Sequence, residues 1–310
     1  MGKIAIIGHR NPDTDSIVSA VAAEELFKNL FGVEAQALRA GNINNETKFV
    51  FEKFGISIPE LVEDVEEISS VALVDHNEQS QTFNGLDYAN VDYVIDHHKL
   101  SIQTEKPIFC RVEPIGSTSA LIAKMFFEKG ISPNEKTAKL LLAGMLSDTL
   151  NLTSPTTTSQ DEELVRKLNG IAGLDTDVFV NEMFKAKSSL EGISIEDIVS
   201  IDYKTFEMGK KNVGIGTWET THPESVDAKK DEIMQALIDK KAEEKLDYIF
   251  FMVVDILKQY CQLYVVGEAE SVLAEKVFGA KAKESAVLLE GVVSRKKQIV
   301  PPLMEELTRA

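Results

Sequence analysis

The sequence predicts an α/β protein of two domains: an N-terminal, mostly parallel sheet with helices on both faces, then a smaller C-terminal α+β domain. Three observations carry this. Short continuous apolar runs alternate with helix-length segments through the first half, the pattern of strands buried on both faces. That alternation gives way near residues 188–192, beyond which a hairpin pattern appears. The length of 310 residues suits two cores better than one.

The apolar run over 3–8 reads as a buried strand. Asp15 or Ser16 is placed to cap a helix running to about Leu30 and closed by Gly32. A second strand is expected over 33–38, and a helix over 46–54 that stops at Gly55. Residues 71–74 and 93–95 are further short strands. Helices follow over 117–128, ended by Gly130, and over 134–146, with Asn134 as cap. Ser159-Gln160-Asp161-Glu162 has capping-box spacing for a helix to about Leu168. A linker over 189–195 divides 1–188 from 196–310. Beyond it, strands over 202–208 and 213–218 flank Gly209-Lys210-Lys211-Asn212 as a hairpin. A long charged helix over 225–245, strands over 248–254 and 262–266, a helix over 268–278 and an apolar segment over 286–293 complete the domain.

Charge and cysteine usage narrow the function. Lys and Arg number 33 against 50 Asp and Glu, a net charge of −17. This argues against a broad basic face for nucleic acid. An anionic substrate stays open, because local charge in a site can oppose the global charge. Cys110 and Cys261 offer neither a disulfide framework nor metal-type Cys spacing, which points to a reduced compartment. The N-terminal apolar run is too short for a signal peptide, and no stretch is long enough to span a membrane. A cytoplasmic protein without membrane or nucleic-acid partners is expected.

The chemistry gathers at strand ends. His9, His76, His97 and His98 each sit just past an apolar strand, with an aspartate beside them or a few residues on. The first strand leads into Gly8-His9-Arg10-Asn11-Pro12-Asp13-Thr14-Asp15, the 71–74 strand into Asp75-His76-Asn77, and the 93–95 strand into Asp96-His97-His98. In a parallel sheet these ends share the carboxyl edge, where open α/β sheets bind ligands. Clustered carboxylates repel one another unless a cation joins them. Imidazole plus carboxylate suits Mn, Fe, Co or Zn. His9, Asp13, Asp15, Asp75 and His97 are candidate ligands, and Asp148, placed after the 134–146 helix, could make a sixth. So many side chains suit two ions sharing bridging carboxylates. His76 alone reads equally as a loop residue facing away, and the isolated His222 reads as surface. Most lysines alternate with acids on solvated helix faces. Ser294-Arg295-Lys296-Lys297-Gln298 stands apart: it is either an anion clamp, with Arg suited to phosphate, or an exposed basic turn.

These motifs, together with Val74-Asp75-His76-Asn77-Glu78 and Ser147-Asp148, resemble those of the DHH phosphoesterase superfamily. The C-terminal half with Ser294-Arg295-Lys296-Lys297-Gln298 resembles that of the manganese-dependent, family II inorganic pyrophosphatases. The resemblance spans both domains. It implies hydrolysis of pyrophosphate to two phosphates, with two Mn²⁺ per subunit bridging a water that becomes the nucleophile. Co²⁺ could substitute, and Mg²⁺ would accompany the substrate. It implies that His9, Asp13 and Asp75 hold one metal and Asp15, Asp75 and His97 the other, with Asp148 joining Asp75 as a bridge. His98, Lys204, Arg295 and Lys296 would hold phosphate oxygens, His98 would also donate a proton to the leaving phosphate, and Asp96 would orient a histidine. The second domain would close over the first, and the family implies a homodimer through the N-terminal domain. The alternative is a DHH-type phosphodiesterase acting on short oligonucleotides or cyclic dinucleotides. Such enzymes carry a Gly-Gly-Gly-His motif, which this sequence lacks.

Overall fold

The computed structural model describes residues 4–62, 68–190, 192–200 and 202–309. Lys3 of the first expected strand and Glu191 of the expected linker lie outside these. The chain divides into two units, Met1–Ala186 and Lys187–Ala310. No helix among the described residues is long and apolar enough to cross a membrane.

In the first unit, β1 (Ile4–Ile7), β2 (Ala35–Arg39), β3 (Glu60–Leu61), β4 (Val71–Val74), β5 (Val91–Asp96) and β6 (Phe109–Val112) form one sheet. Its order is β3-β2-β1-β4-β5-β6, with every pairing parallel. The central β1 and β4 are apolar and buried at every position, as strands covered on both faces must be. From β1 the chain adds β2 and β3 on one side, then crosses to add β4, β5 and β6 on the other. At such a reversal the connections leave in opposite directions and open a crevice at the carboxyl ends of the strands.

The helices of this unit are α1 (Thr14–Phe31), α2 (Asn45–Phe54), α3 (Thr118–Glu128), α4 (Glu135–Asp148), α5 (Ser159–Ala172) and α6 (Thr176–Lys187). Three boundary expectations are corrected. The cap of α1 is Asp13, whose side chain accepts from the Ser16 N–H; Asp15 lies inside the first turn and is engaged elsewhere. Helix α4 continues past 146 to Asp148, because the Thr149 N–H still reaches the Met145 carbonyl at 3.1 Å. The capping box of α5 is Thr158 with Asp161, one residue earlier than the Ser159 spacing. The short strands β3 and β6 and helix α6 were not anticipated; β6 is a half-exposed edge strand whose apolar run, Ile108-Phe109-Cys110, is interrupted by Arg111.

The second unit holds α7 (Ile195–Ser200), β7 (Tyr203–Met208), β8 (Lys211–Thr220), α8 (Glu224–Asp227), α9 (Lys230–Glu243), β9 (Tyr248–Asp255), β10 (Tyr260–Val265), α10 (Glu268–Phe278), β11 (Ala286–Glu290) and α11 (Val300–Arg309). Its mixed sheet runs β11-β10-β9-β8-β7, parallel only between β8 and β9. Strand periodicity splits β9 between two cores: Phe250, Met252 and Val254 face one, Ile249, Phe251 and Val253 the other. Leu273 of α10 and Leu303 of α11 cover the first core, and Ile198 of α7 with Ile233 and Leu237 of α9 cover the second. The expected 225–245 helix is two helices, α8 and α9. Asp227, the last residue of α8, accepts from the Tyr264 hydroxyl at 2.6 Å and from Gln262. After β11, residues Arg295–Ile299 form a single wide helical turn leading into α11. Pro301 and Pro302 sit in the first turn of α11, a position that proline tolerates.

Helix α4 crosses α1 at Gly144, close to the carboxyl edge of the first sheet. A Cβ there would fall 2.2 Å from Ser119 Oγ, 2.7 Å from Asp15 Oδ1 and 2.7 Å from Val18 Cγ2. Gly144→Ala should therefore destabilise the protein by about 1–3 kcal/mol. A lowered denaturant midpoint checks this, and an unchanged midpoint would contradict the packing.

Candidate metal centre

The switch point places the expected residues together. His9 and Asp13 come from the turn after β1, Asp75 follows β4, Asp96 ends β5, and His97 and His98 follow it. Asp148 arrives differently, as the last residue of α4. Three groupings of potential ligand atoms result: His9, Asp13 and Asp75; Asp15, His97 and Asp148; Asp75, His97 and His98. A cavity of about 400 Å³ is lined by His9, Asp13, Asp75, His98 and Asp148 of these groupings and also touches His76, Asn77, Glu78, Gln81 and Lys99.

Asp75 is the common member. Its backbone takes the left-handed conformation, φ 61°, which short polar side chains tolerate best among non-glycine residues. The turn aims a fully buried carboxylate between two imidazoles. Oδ2 lies 3.4 Å from His9 Nε2, and Oδ1 lies 3.5 Å from His97 Nε2 while accepting from Thr118 Oγ1 at 3.0 Å. His9 Nε2 is also 3.8 Å from Asp13 Oδ2, and His97 Nε2 is 3.4 Å from Asp148 Oδ2. These gaps are long for hydrogen bonds. They suit pairs of atoms that each ligate one ion at about 2.1 Å, the usual first-row metal distance to N and O.

His97 supplies the sharpest test of fit. Its Nδ1 lies 3.0 Å from the Ile115 carbonyl, an acceptor, so Nδ1 carries a hydrogen. Its Nε2 is buried and makes no hydrogen bond. A backbone carbonyl behind one nitrogen and carboxylates before the other is the arrangement metal-ligating histidines use. Asp15, also buried, accepts from the Thr118 and Ser119 N–H groups at 2.8 and 3.0 Å, the start of α3. Helix N-termini favour negative charge, which lets this carboxylate sit among others.

The remaining residues sort by contact. Asp96 accepts from both the backbone N–H and Nδ1 of His98, the latter at 2.9 Å, so Nε2 is the His98 atom left for other partners. Asn77 donates to Asp96 at 2.6 Å and to the Lys99 carbonyl at 3.0 Å, tying the turn after β4 to the turn after β5. His76 lines the cavity but is engaged through Nδ1 with the Val74 carbonyl and through Nε2 with Thr82, so it belongs to no ligand grouping. His222 is not surface: it is part-buried, with Nδ1 2.9 Å from a Glu224 carboxylate oxygen. The sequence reading missed Thr118, Ser119 and Asn77. The run Ser117-Thr118-Ser119 before an apolar helix was the available signal for the first two.

In the second unit, Lys204 on β7 and Lys296 are exposed, and no ion pair among the described residues engages them. Arg295 is different. Its guanidinium donates to the Asp202 carbonyl and carboxylate at 2.6 Å each, to the Ile215 carbonyl at 3.0 Å and to Thr217 Oγ1 at 3.3 Å. Lys296 and Lys297 both sit on the helical turn over Arg295–Ile299 and both are exposed, so no strand alternation sets one apart from the other.

The electrostatics show what the cluster lacks. Burial alone would lower the His9 imidazole, but Asp13 and Asp75 outweigh it and push its pKa up to about 10. Burial opposes protonation of His97 too, and Asp75, Asp15 and Asp148 push it to about 10. Burial and then Asp75 and Asp13 raise Asp148 to about 7. Asp15 is held well above the usual carboxylate range by burial, Asp75 and Asp148. Asp75 is held below that range: burial opposes this, and His9 and His97 overcome it. Protons thus stand where the carboxylates call for cations. A metal ion must displace them, since an imidazole ligates only through an unprotonated nitrogen. Mn²⁺ affinity should therefore rise with pH between about 6 and 9, and binding at neutral pH should release protons. Calorimetric titrations in buffers of different ionisation enthalpy check this; a pH-independent affinity without proton release would contradict it.

Comparison with known proteins agrees with this geometry. Residues 3–145 match the family model described as the DHH family N-terminal domain, and residues 181–306 match that of the DHHA2 domain. A Clostridium acetobutylicum relative named "Probable manganese-dependent inorganic pyrophosphatase" is 40% identical over 301 residues, covering 97% of this chain and 96% of its own length. A Methanocaldococcus jannaschii relative named "Manganese-dependent inorganic pyrophosphatase" is 40% identical over 307 residues, covering 96% of this chain and 97% of its own. A solved Methanococcus jannaschii structure assigned to the family II inorganic pyrophosphatases is 38% identical, covers 99% of this chain and 100% of its own, and superposes with a TM-score of 0.62. With such identity along nearly its whole length, a DHH domain followed by a DHHA2 domain, and a strand-end cluster of imidazoles and carboxylates, this chain belongs to the manganese-dependent inorganic pyrophosphatase family.

Proposed function

We propose that this chain hydrolyses inorganic pyrophosphate to two phosphates with manganese held at the strand-end cluster. The observation that carries the reading is the convergence of His9, Asp13, Asp15, His97 and Asp148 around Asp75, with the buried Nε2 of His97 left without a hydrogen bond. His9, Asp13 and Asp75 would hold one ion, and Asp15, Asp75 and His97 a second, with Asp75 and Asp148 shared. Mn²⁺ bound there would supply Lewis-acid activation of water and neutralise phosphate charge. Co²⁺ would fit the same donors, and Mg²⁺, which prefers phosphate oxygens, would arrive with pyrophosphate.

The chain's own residues do the rest. Asp96 raises the pKa of His98 through the Nδ1 hydrogen bond, which keeps the imidazole charged nearer neutral pH. His98 would then contact a phosphate oxygen through Nε2 and give up its proton as the P–O bond of the anhydride breaks and the leaving phosphate gains charge. Lys204, Arg295 and Lys296 would bind the remaining oxygens. We also assign the working form to a homodimer through the N-terminal domain, as the family resemblance implies, and place it in the cytoplasm on its cysteine usage. The direct assay compares phosphate release from pyrophosphate with hydrolysis of a dinucleotide, each with Mn²⁺ and with chelator. Manganese-dependent turnover of pyrophosphate is expected. Turnover of the dinucleotide alone would replace this reading with a phosphodiesterase.

The pairing of Arg295 changes what its replacement should do. Lys296→Ala should lower turnover by about 10²–10³-fold, the usual loss for a charge-stabilising donor, with the unfolding midpoint unchanged. Arg295→Ala should lower turnover and also destabilise the second unit by about 2 kcal/mol or more, because it removes charge-assisted bonds that link the Arg295 turn to β8 and Asp202. Turnover measurements with thermal unfolding of both variants check the distinction. Equal stability of the two would show that the Arg295 contacts hold nothing together.

A further inference from the structure

Glu46 lies in the first turn of α2, away from every ligand grouping, yet it is fully buried. Glu52 and Lys53 on the same helix are exposed. Its Oε2 accepts two hydroxyl protons at 3.0 Å, one from Thr14 Oγ1 and one from Ser147 Oγ. Thr14 is the residue between Asp13 and Asp15, and Ser147 immediately precedes Asp148. Because Thr14 gives its one hydroxyl proton to Glu46, Thr47 Oγ1 is the donor in the 3.1 Å contact between the two threonines. All four of these side chains are buried.

A carboxyl group buried this deeply is unfavourable unless its hydrogen bonds are made, and a leucine would fill the space without that penalty. What a leucine could not do is fix two hydroxyls to one point. Helices α1 and α4 already approach closely at Gly144. The shared oxygen adds a directional tie between the start of α1 and the end of α4. We propose that Glu46 is a positioning residue of the metal centre, tying the first residue of α1 to the last turn of α4 and thereby fixing Asp13 and Asp15 relative to Asp148. The inference rests on the reading that this cluster binds Mn²⁺.

Metal titration of the folded protein tests it apart from turnover. Glu46→Ala should raise the Mn²⁺ dissociation constant by about 10–100-fold, the usual loss when a residue that orients metal ligands is removed. Glu46→Gln keeps a side-chain oxygen able to accept both hydroxyls and should restore affinity close to that of the parent. Titrations are made below the unfolding transition of each protein, with circular dichroism to confirm the fold. Parent-like affinity in a folded Glu46→Ala overturns the proposal, since a purely structural role would lower the unfolding midpoint and leave affinity untouched. If Glu46→Ala does not fold, Ser147→Ala decides: it retains the Thr14 bond, weaker Mn²⁺ binding supports the proposal, and unchanged binding overturns it. A parent protein that binds no Mn²⁺ would refute the metal-centre reading itself.

Discussion

Asp75 holds a negative charge in the interior where two imidazoles meet it, and the first unit is arranged to make that possible. Like charges within a few ångströms in a buried site repel strongly. Asp75 tolerates Asp15 and Asp148 nearby because His9 and His97 face its two oxygens and the Thr118 hydroxyl donates to one of them. Asp15 tolerates the same neighbours through the N–H groups that begin α3. The left-handed turn at Asp75, unfavourable by about 1–2 kcal/mol for a residue other than glycine, is kept because a right-handed turn would carry the carboxylate elsewhere. The parallel sheet provides the place, since its order reverses beside β1 and β4 and leaves their ends open.

Much of this was legible in the sequence because strand-end chemistry is local. An apolar run followed by His or Asp tells where a side chain will stand once the sheet is known to be parallel. His9, Asp13, Asp75 and His97 gather at one site on that logic, and Asp148 joins them from the end of α4. Caps and helix ends were less legible. Asp13, Asp15 and Ser16 are all acceptable caps, and the choice was made by Thr118 and Ser119, more than a hundred residues away, which engage Asp15. Glu46 was invisible for the opposite reason: a glutamate in the first turn of an amphipathic helix reads as solvated, and only the tertiary approach of Thr14 and Ser147 buries it.

The second unit shows how a correct residue can carry an incomplete role. Arg295 stood out as a cation beside other cations. The fold gives it the carbonyls of Asp202 and Ile215 as partners, so the side chain expected to meet phosphate also fastens its turn to the sheet. Lys204 and Lys296 have no such duty. Asp227, the last residue of α8, is tied in a similar way, accepting from the Tyr264 hydroxyl on β10. In each case a side chain with a strong local preference was claimed by a distant partner.

We propose that the carboxyl edge of the parallel sheet holds two manganese ions that share Asp75. Diffraction from crystals grown with Mn²⁺, recorded on both sides of the manganese absorption edge, would locate them. Two anomalous peaks are expected, one beside His9 and Asp13 and one beside Asp15 and His97, with Asp75 touching both. A single peak, or manganese bound only away from Asp75, would contradict it.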